Sequence, residues 1–277
     1  MMKFLSKSYI FIIFALLYAP IAVVVLFSFN QSESLSEFTG FTADWYIELF
    51  QDEVALDALK NSLVLAVCSA ITATVIGTFA ALGIHNMRKK FVKGWIKSIT
   101  NIPMVNPDIV TGISMMLLFV TIGLILKKLF DIDISLGFWS MLIAHTTFNL
   151  PYVLLSVLPR FNQLDRSLSE AAMDLGCTPT KAFFLVELPQ IVPGIVSGMM
   201  LAFTMSLDDF VISHFVSSPN FQTLPLYVYN QTAHNVKFSM YALCAMIIAI
   251  ILVILLIVNF TGSVSNKKKQ PRKGARS

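Results

Sequence analysis

Apolar residues in this chain come in long unbroken runs. Six stretches carry no charged residue: 9–29, 62–84, 109–126, 135–158, 191–207 and 241–260. The fifth resumes over 210–216 after Asp208 and Asp209. Runs near ~20 apolar residues match the length a helix needs to cross a hydrocarbon core about 30 Å thick. The pattern therefore predicts an all-α, polytopic membrane bundle of six transmembrane helices. The first run is too long for the core of a cleavable signal peptide, about 7–15 residues, so it reads as a retained span.

Two segments between the runs have helical periodicity of a different kind. Residues 41–50 (FTADWYIELF) predict an amphipathic interfacial helix, with Trp45 and Tyr46 of the types that settle at headgroup level. Residues 159–190 are too long for a simple hairpin connection. Leu164, Leu168, Ala171, Ala172 and Leu175 recur at helical spacing there. Gly176 is placed to stop that helix, Thr178 to cap a second one and Pro179 to open it. Pro189 is expected to end the second helix. The result is a protruding knob of two short helices. Prolines 20 and 151 predict kinks in the first and fourth spans.

Composition narrows the class. The chain is 56% hydrophobic and 13% charged, against roughly 25% charged for a soluble domain. A soluble globule would lack the charge to cover its surface, and a disordered chain would be less apolar. Cys68, Cys177 and Cys244 have neither the even count of a disulfide framework nor metal-ligand spacing.

The placement of the charges gives orientation. With both termini in the cytoplasm, the inner side collects Lys3 and Lys7, then Arg88, Lys89, Lys90, Lys93 and Lys97. It also collects Arg160, Arg166 and Lys181, and the six bases of the tail from Lys267 to Arg276. Only Lys60, Lys127, Lys128 and Lys237 fall outside. The expected organisation is a first helix with an acidic outer segment (1–60), a transmembrane domain (61–260) with its knob at 159–190, and a basic, disordered cytoplasmic tail (261–277). The outer segment carries Glu33, Glu37, Asp44, Glu48, Asp52, Glu53 and Asp57, either as a plain solvated surface or as one that meets a cationic ligand or a partner.

The knob carries a resemblance. Glu170-Ala171-Ala172, Gly176 and the closing Leu188-Pro189 fit the frame E-A-A-x-x-x-G-x(11)-L-P. This is similar to the EAA loop of ABC-transporter permeases of the type I, binding-protein-dependent importer family. PMVNP at 103–107 and NLPY at 149–152 resemble the same family. MVNPDIVTGIS at 104–114 and FTMSLDDFVISHFV at 203–216 resemble its spermidine/putrescine permeases. The resemblance implies a subunit of the bacterial cytoplasmic (inner) membrane that translocates polyamine. It implies that Glu170, Ala171, Ala172, Gly176, Leu188 and Pro189 couple to a dimer of ATP-binding subunits, which would hold ATP and Mg. It further implies a second homologous permease subunit and an extracytoplasmic solute-binding protein. The alternatives are another small solute, or an ion-coupled secondary transporter.

Three acids stand where lipid or a pathway is expected: Asp108, Asp208 and Asp209. An ionised carboxylate at membrane depth needs a wet cavity or a cation, which makes these candidate pathway residues. Successive helical residues point about 100° apart, so Asp208, on one face with Leu201 and Thr204, is the preferred pathway member. The competing reading ends the helix near Ser206 and leaves the pair as caps. For Asp108 the competing reading is an acid set against a helix dipole. Trp45 and Tyr46, and also Trp139 and Tyr152, could offer ring faces to a polyamine, or merely pack. His145 reads as a packing residue. The chain contains no G-x-x-x-x-G-K-[ST] phosphate cradle, no metal motif and no catalytic constellation. No cofactor and no nucleic-acid partner are expected.

Overall fold

The computed structural model describes residues 2–32, 37–131, 136–233 and 237–267, with side chains except at 2–6, 166 and 254–267. Glu33, Asp133 and the tail from Lys268 lie outside these residues. The described residues are almost wholly helical, and among them there is no β-strand, only the isolated bridges Asn30–Phe41 and Ser218–Phe221. Among the described residues five helical stretches are long and apolar enough to cross a membrane: Lys7–Phe27, Glu53–Asn86, Asp108–Phe130, Phe138–Asn162 and Pro179–Leu207. The chain divides into two compact units, Met1–Leu56 with Gln231–Ser277, and Asp57–Asn230.

The first unit contains α1 (Met2–Phe27), α2 (Asp44–Gln51) and α12 (Ser239–Lys267). The last of these continues helical beyond residue 261, and its apolar part Ser239–Val253 is where side chains are described. The connection after α1 is organised by Asn30, which is fully buried. Its Nδ2 donates to the Glu37 carbonyl at 2.9 Å and its Oδ1 accepts from Thr39 N at 3.1 Å.

The second unit is built on α3 (Glu53–Asn86), α5 (Asp108–Phe130), α6 (Phe138–Asn162) and α9 (Leu188–Leu207). Shorter helices are α4 (Lys90–Val105), α7 (Arg166–Asp174), α8 (Pro179–Ala182), α10 (Val211–Val216) and α11 (Leu224–Thr232). The basic stretch between the second and third apolar runs, for which the sequence predicts no element, is the helix α4. Phe91, Trp95, Ile99 and Ile102 give it an apolar stripe. Its other side packs Ile96 onto the core.

The main core lies where α3, α6 and α9 meet, around Ala73, Val153, Val157, Phe161 and Ile191, all with no exposed surface. The contact of α9 with α6 is made by residues four apart: Gly194, Gly198, Ala202 and Ser206, all buried. A Cβ on Gly194 would stand 2.9 Å from the Ser156 carbonyl oxygen, and one on Gly198 3.3 Å from Val153 Cα. Small residues at this spacing let two helical backbones approach closely, the main route to helix association in lipid. Thr72 Oγ1 meets Thr146 Oγ1 at 2.7 Å and ties α3 to α6.

Pro189 does not end the second helix of the knob, contrary to the sequence expectation. The helix runs unbroken from Pro179 to Leu207. A π-helical turn, Phe183–Glu187, absorbs the fault, with Leu188 N donating to the Phe183 carbonyl five residues back. Proline lacks a donor and crowds the carbonyl four residues before it; widening the preceding turn removes that crowding without breaking the helix.

Replacing Gly194 by Val is expected to cost about 1–3 kcal/mol, the usual range for overpacking a close contact. Thermal unfolding in detergent checks this, with Gly83→Ala as control, because a Cβ there meets nothing within 4 Å.

Candidate functional site

The knob is held by local chemistry that its sequence prescribes. Asp165 caps α7, its Oδ1 accepting from Ser167 N at 3.0 Å. Hydrogen bonds from Ser167 hold the Asp165 carboxyl below the ordinary carboxylate range. The far end closes at Gly176, whose φ of +91° lies in the left-handed region that suits glycine. Gly176 N donates to the Met173 carbonyl at 2.9 Å and Cys177 N to the Ala172 carbonyl at 3.1 Å, the paired bonds of a glycine C-terminal stop. Thr178 Oγ1 caps α8 by accepting from Lys181 N at 3.4 Å. Ser169 Oγ donates to Glu187 Oε1 at 2.9 Å and binds α7 to the π turn.

This geometry leaves an uncovered apolar surface. Glu170, Ala171 and Gly176 are exposed, Ala172 is half-buried, Leu168 is 48% exposed and Leu175 87%. Leu164 turns the other way, against the core. Leu188 is half-buried and Pro189 exposed at the start of α9. Four residues of the EAA frame thus lie in the knob, and the other two, Leu188 and Pro189, open α9.

The neighbouring acids at the other end of α9 are divided. Asp209 is turned inward, its side chain 8% exposed. Its Oδ1 accepts from Ile212 N at 3.3 Å and its Oδ2 from Ser213 N at 2.8 Å, which caps α10. Oδ2 also lies 3.5 Å from His145 Nε2 on α6. Asp208 ends α9 and is exposed, as are Leu201 and Thr204. Nearby rings pack on one another in tilted pairs: Phe210 and Tyr229 at 4.6 Å between centroids, Phe210 and His214 at 5.5 Å.

Asp108 is exposed at the first position of α5, after Pro107. Tyr152 of α6 stands within electrostatic reach of it. Trp45 and Tyr46 belong to the first unit and are half-buried there. Trp45 Nε1 donates to the Asn30 carbonyl at 2.6 Å, and Tyr46 OH meets Ser28 Oγ at 2.8 Å. Trp45 also packs on Phe238, ring centroids 5.6 Å apart.

Sequence reasoning did not find the hydroxyl network around His145. Its Nδ1 pairs with Ser206 Oγ at 2.7 Å and its Nε2 with Ser213 Oγ at 3.2 Å, while Ser69 Oγ donates to Ser206 Oγ at 2.8 Å. The available signal was three serines in separate apolar runs, with a histidine in another. Polar side chains at membrane depth are expensive alone and so imply one another.

These features define a multi-pass, membrane-embedded helical protein with one rigid knob and an exposed carboxylate at opposite ends of a single helix. The chain belongs to the binding-protein-dependent transport system inner membrane component family, whose pattern matches residues 73–268. It is 41% identical over 236 residues to the putrescine transport system permease protein PotI of Escherichia coli K12, covering 85% of this chain and 82% of that one. It is 35% identical over 257 residues to the spermidine/putrescine transport system permease protein PotC of Haemophilus influenzae, covering 92% and 95%. Its fold matches a bacterial alginate ABC transporter crystallised in complex with an alginate pentasaccharide-bound periplasmic protein. There the TM-score is 0.73 at 18% identity, over 97% of this chain and 95% of that one.

The two acids should separate in hydrogen exchange. Asp209→Ala removes the α10 cap, worth about 0.5–2 kcal/mol, so the Ile212 and Ser213 amides should exchange roughly 2–30-fold faster. Asp208→Ala should leave them unchanged. In the knob, the depressed Asp165 pKa means its cap is fully formed above the ordinary carboxylate range and is lost as pH falls through the lower folded value. Protection of the Ser167 amide, corrected for intrinsic exchange, should fall across that acidic window and be absent at all pH in Asp165→Ala.

Proposed function

We propose that this chain is a membrane-spanning permease subunit of an ABC importer that carries polyamines, putrescine or spermidine, across the bacterial cytoplasmic membrane. The observation that carries the substrate class is the 41% identity to a putrescine permease over most of both chains. The exposed Asp208 suits it chemically, because protonated amines need carboxylates that are not already committed. Asp209, by contrast, is spent on capping α10 and facing His145. Asp108, exposed at the start of α5, supplies a second carboxylate. Two separate exposed carboxylates suit a cation with spaced ammonium groups.

In this reading six helices span the membrane, α12 being the sixth, and both termini are cytoplasmic, as the distribution of Lys and Arg favours. The knob is the coupling helix. Its small Ala171 and Ala172 allow close approach of a groove on an ATP-binding subunit, and Glu170 offers that groove a charge. A dimer of those subunits binds ATP and Mg; a second permease subunit completes the pathway. A solute-binding protein delivers the polyamine from outside, and Asp208 is placed to receive it.

The mechanical link is a single helix. Pro179–Leu207 is 29 residues, which at ~1.5 Å per residue makes a rod of roughly 43 Å. The knob is pinned to one end through Ser169 and Glu187, and Asp208 ends the other. Movement of the knob by its partner therefore moves the carboxylate.

Glu170→Lys or Gly176→Trp should abolish uptake of radiolabelled putrescine and loosen co-purification of the ATP-binding subunit. Normal transport and attachment in both would sink the coupling role. Asp208→Asn should lower uptake at least about tenfold, the effect of losing one charge-assisted contact of ~1.5–3 kcal/mol, with assembly intact. Wild-type uptake by that variant removes Asp208 from the pathway.

A further inference from the structure

A groove of about 340 Å³ opens between α4 and the end of α6. Its apolar wall is Leu154, Leu155 and Leu158, with Leu154 and Leu158 nearly fully buried and Leu155 45% exposed. Its polar side is Lys97 and Asn101 of α4 with Asn162 and Gln163 at the end of α6. Lys97 is the one charged residue in the lining, and no acid contributes to it. The sequence around it points the same way: from His85 to Pro107 there are five bases and no Asp or Glu.

The depth of α4 follows from its other flank. Phe91, Trp95, Ile99 and Ile102 are 77%, 59%, 56% and 60% exposed and share one stripe. A helix with lysines on one flank and exposed Phe and Trp on another settles at the boundary of headgroups and acyl chains. Trp95 marks the headgroup level. The groove beside it is then at the depth of lipid phosphates.

The geometry points to a binding site for an anionic phospholipid in this groove. The phosphate is held by the Lys97 ammonium and the side-chain amides of Asn101, Asn162 and Gln163, and the first methylenes of an acyl chain lie along Leu155 and Leu158. The volume admits a headgroup and chain stub only, so the rest of the lipid stays in the bilayer. Basic pockets between membrane helices on the cytoplasmic side hold anionic headgroups by this combination. The site rests on the proposed topology only in assigning it to the inner leaflet.

The test is native mass spectrometry of the full chain, purified in detergent and offered dioleoyl phosphatidylglycerol or dioleoyl phosphatidylcholine. Retention of one phosphatidylglycerol in clear preference to phosphatidylcholine is expected. Lys97→Ala should lower it about fivefold, the effect of one base near an anionic headgroup. Lys97→Arg should restore it, and Lys60→Ala should leave it unchanged. Lys97→Gln replaces the alanine variant should that one not fold. Equal retention of both lipids, or retention indifferent to Lys97, overturns the site. Displacement by excess inorganic phosphate makes it a soluble-anion site, and displacement by a purified ATP-binding subunit makes it a protein contact; either overturns the proposal. Retention is read on the isolated chain, so failure of the polyamine reading in uptake leaves this result standing.

Discussion

Two helical backbones can approach closely in lipid only where no side chain keeps them apart. The line Gly194, Gly198, Ala202, Ser206 on α9 meets that condition against α6. Water gives no hydrophobic drive to helix pairing inside a bilayer, so contact surface and buried polar partners must supply it. The seam provides contact along most of its length. Its last member, Ser206, provides the polar partner, meeting His145 of α6 and Ser69 of α3. The seam runs along α9 to within two residues of the acids that follow it.

The two aspartates both lie just past the seam, where an unpartnered charge facing protein or lipid would be costly. Asp209 faces the seam side and is stabilised there by two backbone donors and by His145. Asp208, one residue earlier at the end of α9, is exposed instead. One acid therefore organises the break between α9 and α10, and the other is left with its charge uncommitted. The helix does end close to Ser206, as the competing reading expects, but of the pair only Asp209 acts as a cap.

What could be seen in the sequence was whatever local chemistry decides. Unbroken apolar runs locate the long helices because no other element keeps twenty apolar residues satisfied in lipid. The knob was equally legible: Gly176 and Thr178 act on backbone groups a few residues away, so their spacing alone states their roles. The π turn was not, because Pro189 is compatible with a helix end or with a widened turn, and the packing of the segment that follows decides between them. Helix α4 was hidden by its charges, since five bases in a row of twenty residues predict no element until Phe91, Trp95, Ile99 and Ile102 are placed on one stripe. Trp45 and Tyr46 show the limit from the other side. Their residue types fit an interfacial anchor or a ligand face, but their hydrogen bonds to Asn30 and Ser28 cross a loop that no periodicity predicts.

The widened turn at Phe183–Glu187 also fixes a length. Within a continuous helix, azimuth is counted in residues, each worth about 100° in α geometry and less in the widened turn. The number of residues between Thr178 and Gly194 therefore sets the bearing of the knob relative to the glycine seam. A single insertion or deletion there would leave every contact residue present and point the two ends of the rod in directions that no longer correspond. Substitutions across this stretch can be absorbed one side chain at a time, but its residue count cannot drift.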